Sequence, residues 1–282
     1  MTQIVRVLLI VGGFAMLALS AIFCFNQELA LKLWMWPDGP LSLYFVASMQ
    51  AAIAAAMLWI GFSGELAALA PGALNLVVMM AGCALSFYLI DRRLTDQSLS
   101  LYTIGCGLFA LFNVWLYWWA RRIPLRDNRP LPGPVRTSYW LFVFVLAGVG
   151  IALFLMGNGV LPWKFSEQNA YTPLILGWMF FGDAFYFLYA LIYPRWHNAC
   201  AQLCSFLAYD LVLLGPLLIR WPIVQNVWAE APKVAPGLES NLIIYSCVLI
   251  YSGALGVYYL LINPETRLFA REPVYATGIV GG

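Results

Sequence analysis

Long apolar runs alternate with short polar breaks along the whole chain. Eight runs stand out, at about 4–24, 41–62, 66–90, 99–120, 138–156, 172–194, 199–219 and 241–262, each with at most one charged residue. About 20 apolar residues in a helix cross a hydrocarbon core of roughly 30 Å. None of the runs alternates with period 2, so they do not read as barrel strands. Backbone groups in lipid must be satisfied within the segment, which makes each run a predicted helix. The expected fold is all-α: a polytopic helical membrane protein with about eight transmembrane helices. The first run competes with a secretory leader. Arg6 is the one basic residue near its start, the run is longer than a usual leader core, and Ala18-Leu19-Ser20 is a poor cleavage site. A retained helix is the reading, because a matching segment recurs at 138–156.

The recurrence extends through the chain. Pro40 opens one apolar run with Gln50 ten residues on, and Pro173 opens another with Asp183 ten residues on. The offset is 133 residues in both cases, and the first runs of each half keep nearly the same offset. Such spacing predicts an internal duplication. Four spans per half give both halves the same orientation, so the repeats are expected to be parallel, related by an axis along the membrane normal. The expected organisation is a first four-helix repeat over 1–120, a linker over 121–137, a second repeat over 138–262 and a tail over 263–282.

Composition agrees with the pattern. The 282 residues are 63% hydrophobic and 10% charged, where a soluble domain carries roughly 25% charged residues. The charge distribution adds orientation. Five arginines (Arg121, Arg122, Arg126, Arg129 and Arg136) fall in the linker against one Asp, Asp127. By the positive-inside rule the linker is cytoplasmic, and with eight spans so are both termini. Arg6, Arg195, Arg267 and Arg271 join the inner side. Lys32, Arg92, Arg93, Lys164, Arg220 and Lys233 fall outside, with Asp91 and Asp96 flanking the discordant Arg92–Arg93 pair. Pro124, Pro130, Pro132 and Pro134 predict a stiff, extended connector rather than a helix. A basic loop beside a bilayer suits anionic headgroups, so membrane lipids are the expected partners and nucleic acid is not. Short loops suit a bacterial inner membrane.

Candidate chemistry rests on polar residues inside the runs, where an ionisable group is costly and rare without a reason. Asp183 and Asp210 each lie about eleven residues into adjacent antiparallel runs, near the same depth. Facing each other, they would form a site for a shared proton or a cation. Gly182 before Asp183 leaves room for close helix approach, and Tyr209 before Asp210 offers a hydroxyl. Gln50, the repeat equivalent of Asp183, and Asn113 are the further candidates for substrate or ion contact, against a reading as interhelical glue. His197, Cys200 and Cys204 share one helical face and are weak metal candidates, lacking a fourth ligand. The remaining cysteines (Cys24, Cys83, Cys106 and Cys247) are scattered through separate spans, and no cofactor is implied.

Tryptophans near run ends read as interface anchors: Trp34, Trp36 and Pro37 before the second run, Leu161, Pro162 and Trp163 before the sixth, and Trp115, Tyr117, Trp118 and Trp119 in the fourth. A ligand-facing role of the two outer loops is the alternative. Gly61-Phe62-Ser63-Gly64 matches the surroundings of the nucleophile in rhomboid-type intramembrane proteases. Here the serine falls at a loop and His197 is the sole histidine, so a tight turn explains the glycines. Glu65 next to it reads as a solvated charge at a helix start. Phosphate loops, Gly-x-Gly-x-x-Gly runs and Glu-x-x-His motifs are absent from the sequence, which counts against an enzyme.

Two functions from different classes follow. The first is a transporter or permease of a small solute or ion using the Asp183 and Asp210 region. The second is a non-catalytic subunit of a larger membrane complex, with protein partners on its aromatic surface and the 221–240 loop as a docking element. A lipid-acting membrane enzyme ranks third.

Overall fold

A computed structural model describes residues 2–34, 39–92, 99–165, 171–228, 230 and 232–268. Trp36, Pro37, Arg93, Asp96, Arg271 and the tail beyond Leu268 lie outside the described residues. The long helices are α1 (Thr2–Phe25), α3 (Pro40–Ser63), α4 (Leu69–Asp91, preceded by the 3-10 turn Leu66–Ala68), α5 (Ser100–Ala120), α6 (Gly133–Met156), α7 (Thr172–Ile192), α8 (Trp196–Leu218) and α10 (Glu239–Val257, continued by a π turn Tyr258–Ile262). With their adjoining turns, all eight are long and apolar enough to cross a membrane. Two short helices, α2 (Gln27–Leu33) and α9 (Pro222–Val227), occupy stretches expected to be loop.

Helix ends follow local chemistry. Pro40 and Pro173 sit in first turns, where a missing N–H costs nothing. α3 ends at Gly64, whose φ of 75° lets its N–H reach back to the Ile60 carbonyl. Asn26 caps α2 by accepting from the Leu29 N–H at 3.1 Å. The expected start of the fifth span was too late. α6 begins at Gly133, because Pro134 falls in its first turn instead of blocking it.

The inner helices are α3, α4, α7 and α8. α3 packs against α1 and α8, α7 against α6 and α4, α5 against α4, and α10 against α8. Gly150 and Gly177 bring α6 and α7 together: a Cβ on Gly150 would lie 2.9 Å from the Gly177 carbonyl oxygen. Large apolar side chains such as Ile4, Val11, Leu101, Leu108 and Leu111 point outward from α1 and α5. That surface suits hydrocarbon.

The linker does more than connect. Its Arg129 carbonyl accepts from the Trp196 N–H at 2.8 Å, and the Leu131 N–H donates to the Pro194 carbonyl at 3.1 Å. Arg126 donates to the Ser63 carbonyl at 2.8 Å through its guanidinium and to Glu65 at 3.3 Å through its backbone N–H. Arg6 donates to the carbonyls of Gly61 and Phe62. The linker is thus a strap laid over the α3–α4 and α7–α8 turns. Glu65 is buried beneath it rather than solvated. Burial pushes the Glu65 carboxyl above its ordinary range, with Arg126 pulling the other way. Burial also acts on Asp127, but hydrogen bonds and charge from Arg129 outweigh it and hold that carboxyl below its usual range.

Candidate site between α7, α8 and α10

Asp183 projects from the middle of α7 and is buried. The Asn75 side-chain amide of α4 donates to its Oδ1 at 2.6 Å. Gly182 makes this possible. A Cβ there would fall 2.4 Å from Asn75 Oδ1 and 3.0 Å from the Asn75 carbonyl, so α4 and α7 close only over a glycine. Close approach at Gly182 is therefore as the sequence led one to expect, while its partner was not foreseen. Asn75 is a polar residue inside an apolar run, and that was the available signal.

Asp210 lies on α8, also buried. Ser252 Oγ of α10 donates to its Oδ2 at 2.7 Å, and its Oδ1 is buried without a hydrogen-bond partner. The hydroxyl that serves Asp210 is thus Ser252 and not the adjacent Tyr209. Tyr209 instead shares a short hydrogen bond with Tyr245 of α10. Asp183 and Asp210 occupy the same interior region, but each is committed to a different helix: Asp183 to α4, Asp210 to α10.

A cavity of about 140 Å³ opens beside these groups. Asp183, Tyr209, Asn241, Tyr245 and Ser252 are its polar lining. The remaining wall is apolar and includes Phe142, Leu146, Phe180, Phe206 and Leu249. It runs toward Leu161, Pro162 and Asn241 at the end of the bundle away from the linker. α6 and α10 both contribute to its wall, and they meet through Ser138 and Tyr251, whose hydroxyls lie 2.6 Å apart. The volume is below the roughly 300–1,000 Å³ of drug-sized pockets, and fits a small solute.

The other sequence candidates sit elsewhere. Gln50 on α3 has a buried Oε1 without a partner and does not line this cavity. Asn113 donates to the Phe109 carbonyl of its own helix at 2.8 Å. His197 lies at the linker end, its Nδ1 3.2 Å from the Asp127 carbonyl oxygen. Cys200 packs with Tyr139, Phe187 and Trp196, with Cys204 beside it. Among the described residues no three His, Cys, Asp or Glu side chains are grouped so as to hold a metal ion. Ser63 accepts from the Glu65 N–H at the end of α3, in keeping with a turn. Trp163 is a correction. It is buried against Phe45 and Tyr245 at ring separations of 5.8 and 6.4 Å, inside the core that backs the cavity. Its burial follows from the folding-in of the α6–α7 connection, where Leu161 and Pro162 reach the cavity. Trp115 and Trp118 on α5 are exposed, as an interface belt requires.

No protein-family model, curated protein or solved structure matches this chain.

Proposed function

We propose that the chain is a multi-pass carrier for a small, largely apolar solute or an ion, with proton exchange at Asp183. The observation that carries this reading is the position of Asp183. It lines an apolar cavity on one side and is hydrogen-bonded to Asn75 on the other. Mid-bilayer carboxylates are by default proton- or ion-linked. An ionised Asp183 would hold Asn75 by a charge-assisted bond, and a protonated one by a weaker neutral bond. Proton uptake would therefore loosen the contact between α4 and α7 while removing charge from the cavity wall. That couples a change in the cavity to a change in helix packing, which a carrier needs.

A duplicated architecture, as the 133-residue spacing suggests, would support the same reading. Pairing the four long helices of each half in chain order maps α1·α3 onto α6·α7, α4·α5 onto α8·α10, and α3·α8 onto α7·α4. Two parallel repeats, with the inner helices of each gripping the other, give an interface on which rocking can occur. The basic strap over the α3–α4 and α7–α8 turns fits a cytoplasmic, inner-membrane face with both termini on that side. The test is solute-coupled proton movement in proteoliposomes. Asp183→Asn keeps the shape and an Asn75 partner, and should abolish coupling with the fold intact. Unchanged flux in that variant would sink the role given to Asp183.

A second reading has its own observation. Phe109, Phe112, Trp115 and Trp119 form a ladder along α5, with ring separations of 5.7–6.2 Å. Phe109, Phe112 and Trp115 are exposed. That face suits a partner helix in a larger membrane complex. A stoichiometric companion recovered from native membranes, lost on Trp115→Ala with Phe112→Ala, would favour it.

A further inference from the structure

A second cavity, of about 830 Å³, lies between α1, α3 and α8. Leu17, Ala21 and Phe25 of α1 form one wall, Leu211 and Ile219 line the other, and Tyr44 of α3 lies between them. Leu17, Phe25, Leu211 and Ile219 are exposed, so the groove opens to whatever surrounds the helices. Arg220 stands at the end remote from the linker, just past α8. It is only 7% exposed. One guanidinium N–H donates to the Pro216 carbonyl, and no carboxylate among the described residues pairs with it. Burial pulls this guanidinium below its ordinary value, and nearby Tyr44 acts the other way.

A buried cation without a counter-charge is costly, and among the described residues none supplies one. Two features describe a counter-charge that fits. A guanidinium with free donors fits a phosphate by two parallel hydrogen bonds. The walls leading away from it are apolar and laterally open. We propose that this groove binds an anionic phospholipid, with its headgroup phosphate on Arg220 and an acyl chain along Leu17, Ala21 and Leu211. The proposal rests on the membrane reading. α8 has 23 residues, enough to cross the hydrocarbon core, which puts a residue just beyond its end at headgroup depth. It is independent of transport at Asp183.

The test uses the full-length protein in neutral detergent, with lipid retention read by native mass spectrometry. Phosphatidylglycerol, phosphatidylcholine of the same acyl chains and inorganic phosphate are compared. Phosphatidylglycerol should be retained about tenfold better than phosphatidylcholine, and inorganic phosphate should not displace it. Arg220→Gln should erase the preference, and Arg220→Lys should keep part of it. Leu17→Trp, which fills the groove and leaves the charge, should lower retention of phosphatidylglycerol. Equal retention of both lipids by the native chain overturns the proposal, as does a preference that survives Arg220→Gln. Full displacement by inorganic phosphate overturns it in favour of a free-anion site. Should Arg220→Gln not fold, undiminished retention in Leu17→Trp overturns it instead. Failure of the membrane reading itself is seen separately, as release of the chain from membranes by alkaline carbonate. Failure of the transport reading leaves the lipid preference of Asp183→Asn untouched.

Discussion

α3 and α7 carry prolines 133 residues apart in their first turns and are each flanked by one outer helix and one inner helix, yet they differ at the polar position ten residues on. At the shared position α3 carries Gln50, half-buried, with a carbonyl oxygen that bonds to nothing. α7 carries Asp183, held by Asn75 beside a cavity. One residue earlier, α3 has Met49 where α7 has Gly182. α7 is also the more enclosed: 67% of its most apolar stretch is buried, against 44% for α3. The packing of the two helices is alike, while the glycine that admits a neighbouring amide and the acid that uses it belong to α7 alone. Function is therefore expected to be lopsided, concentrated on α7.

Mutations at matched positions should break that pairing unequally. Gly182→Leu is expected to have the largest effect, since its side chain meets the Asn75 backbone as well as its amide. Overpacking of this kind costs about 1–3 kcal/mol or more, whereas Met49→Leu should cost less than about 1.5 kcal/mol. Thermal unfolding in detergent, with folded yield, separates the two. Asn75→Leu comes next. Removing the donor leaves a buried acceptor unsatisfied, at about 1–3 kcal/mol, and Gln50→Leu, which discards an unpaired carbonyl, should be near neutral. Equal losses in these two variants would mean that the asymmetry is not energetic. Ser252→Ala strips Asp210 of its hydroxyl donor and should cost about 1 kcal/mol, with a smaller effect on flux than Asp183→Asn.

The smallest effect lies at the turns under the strap, where the first half places an acid, Glu65, and the second a base, Arg195. Glu65 has a raised carboxyl in the folded chain. A raised acid favours the folded state below its ordinary range and opposes it as pH rises through the raised value. Glu65→Gln should therefore gain stability relative to the native chain as pH rises through the carboxylate range, and converge with it in acid. A gap that widens in acid would reverse the assignment.

Much of the frame was legible because length and apolarity are properties of single segments. All eight spans were read to within a few residues, and the errors have local causes. Pro134 looked like a barrier but sits where a helix tolerates it, and α8 starts earlier than its first strongly apolar stretch, at Trp196. Hydropathy could not rank the helices by depth: α5 and α7 are similarly apolar, with 11% and 67% of their most apolar stretches buried. The site was half legible. Asp183 and Asp210 announced themselves by cost, but their partners Asn75 and Ser252 come from helices whose adjacency no single-segment property encodes. Glu65 and Trp163 were read as surface residues because a strap and a folded-in loop that cover polar or aromatic groups leave no periodic trace.

The most direct measurement is infrared difference spectroscopy of the purified protein between acid and alkaline pH, native against Asp183→Asn. The account predicts a buried carboxylic-acid band that appears on acidification in the native protein and is missing from the variant, with the amide band of Asn75 shifting alongside it. A native spectrum whose buried carboxylic-acid band persists unchanged in Asp183→Asn would contradict proton exchange at this site.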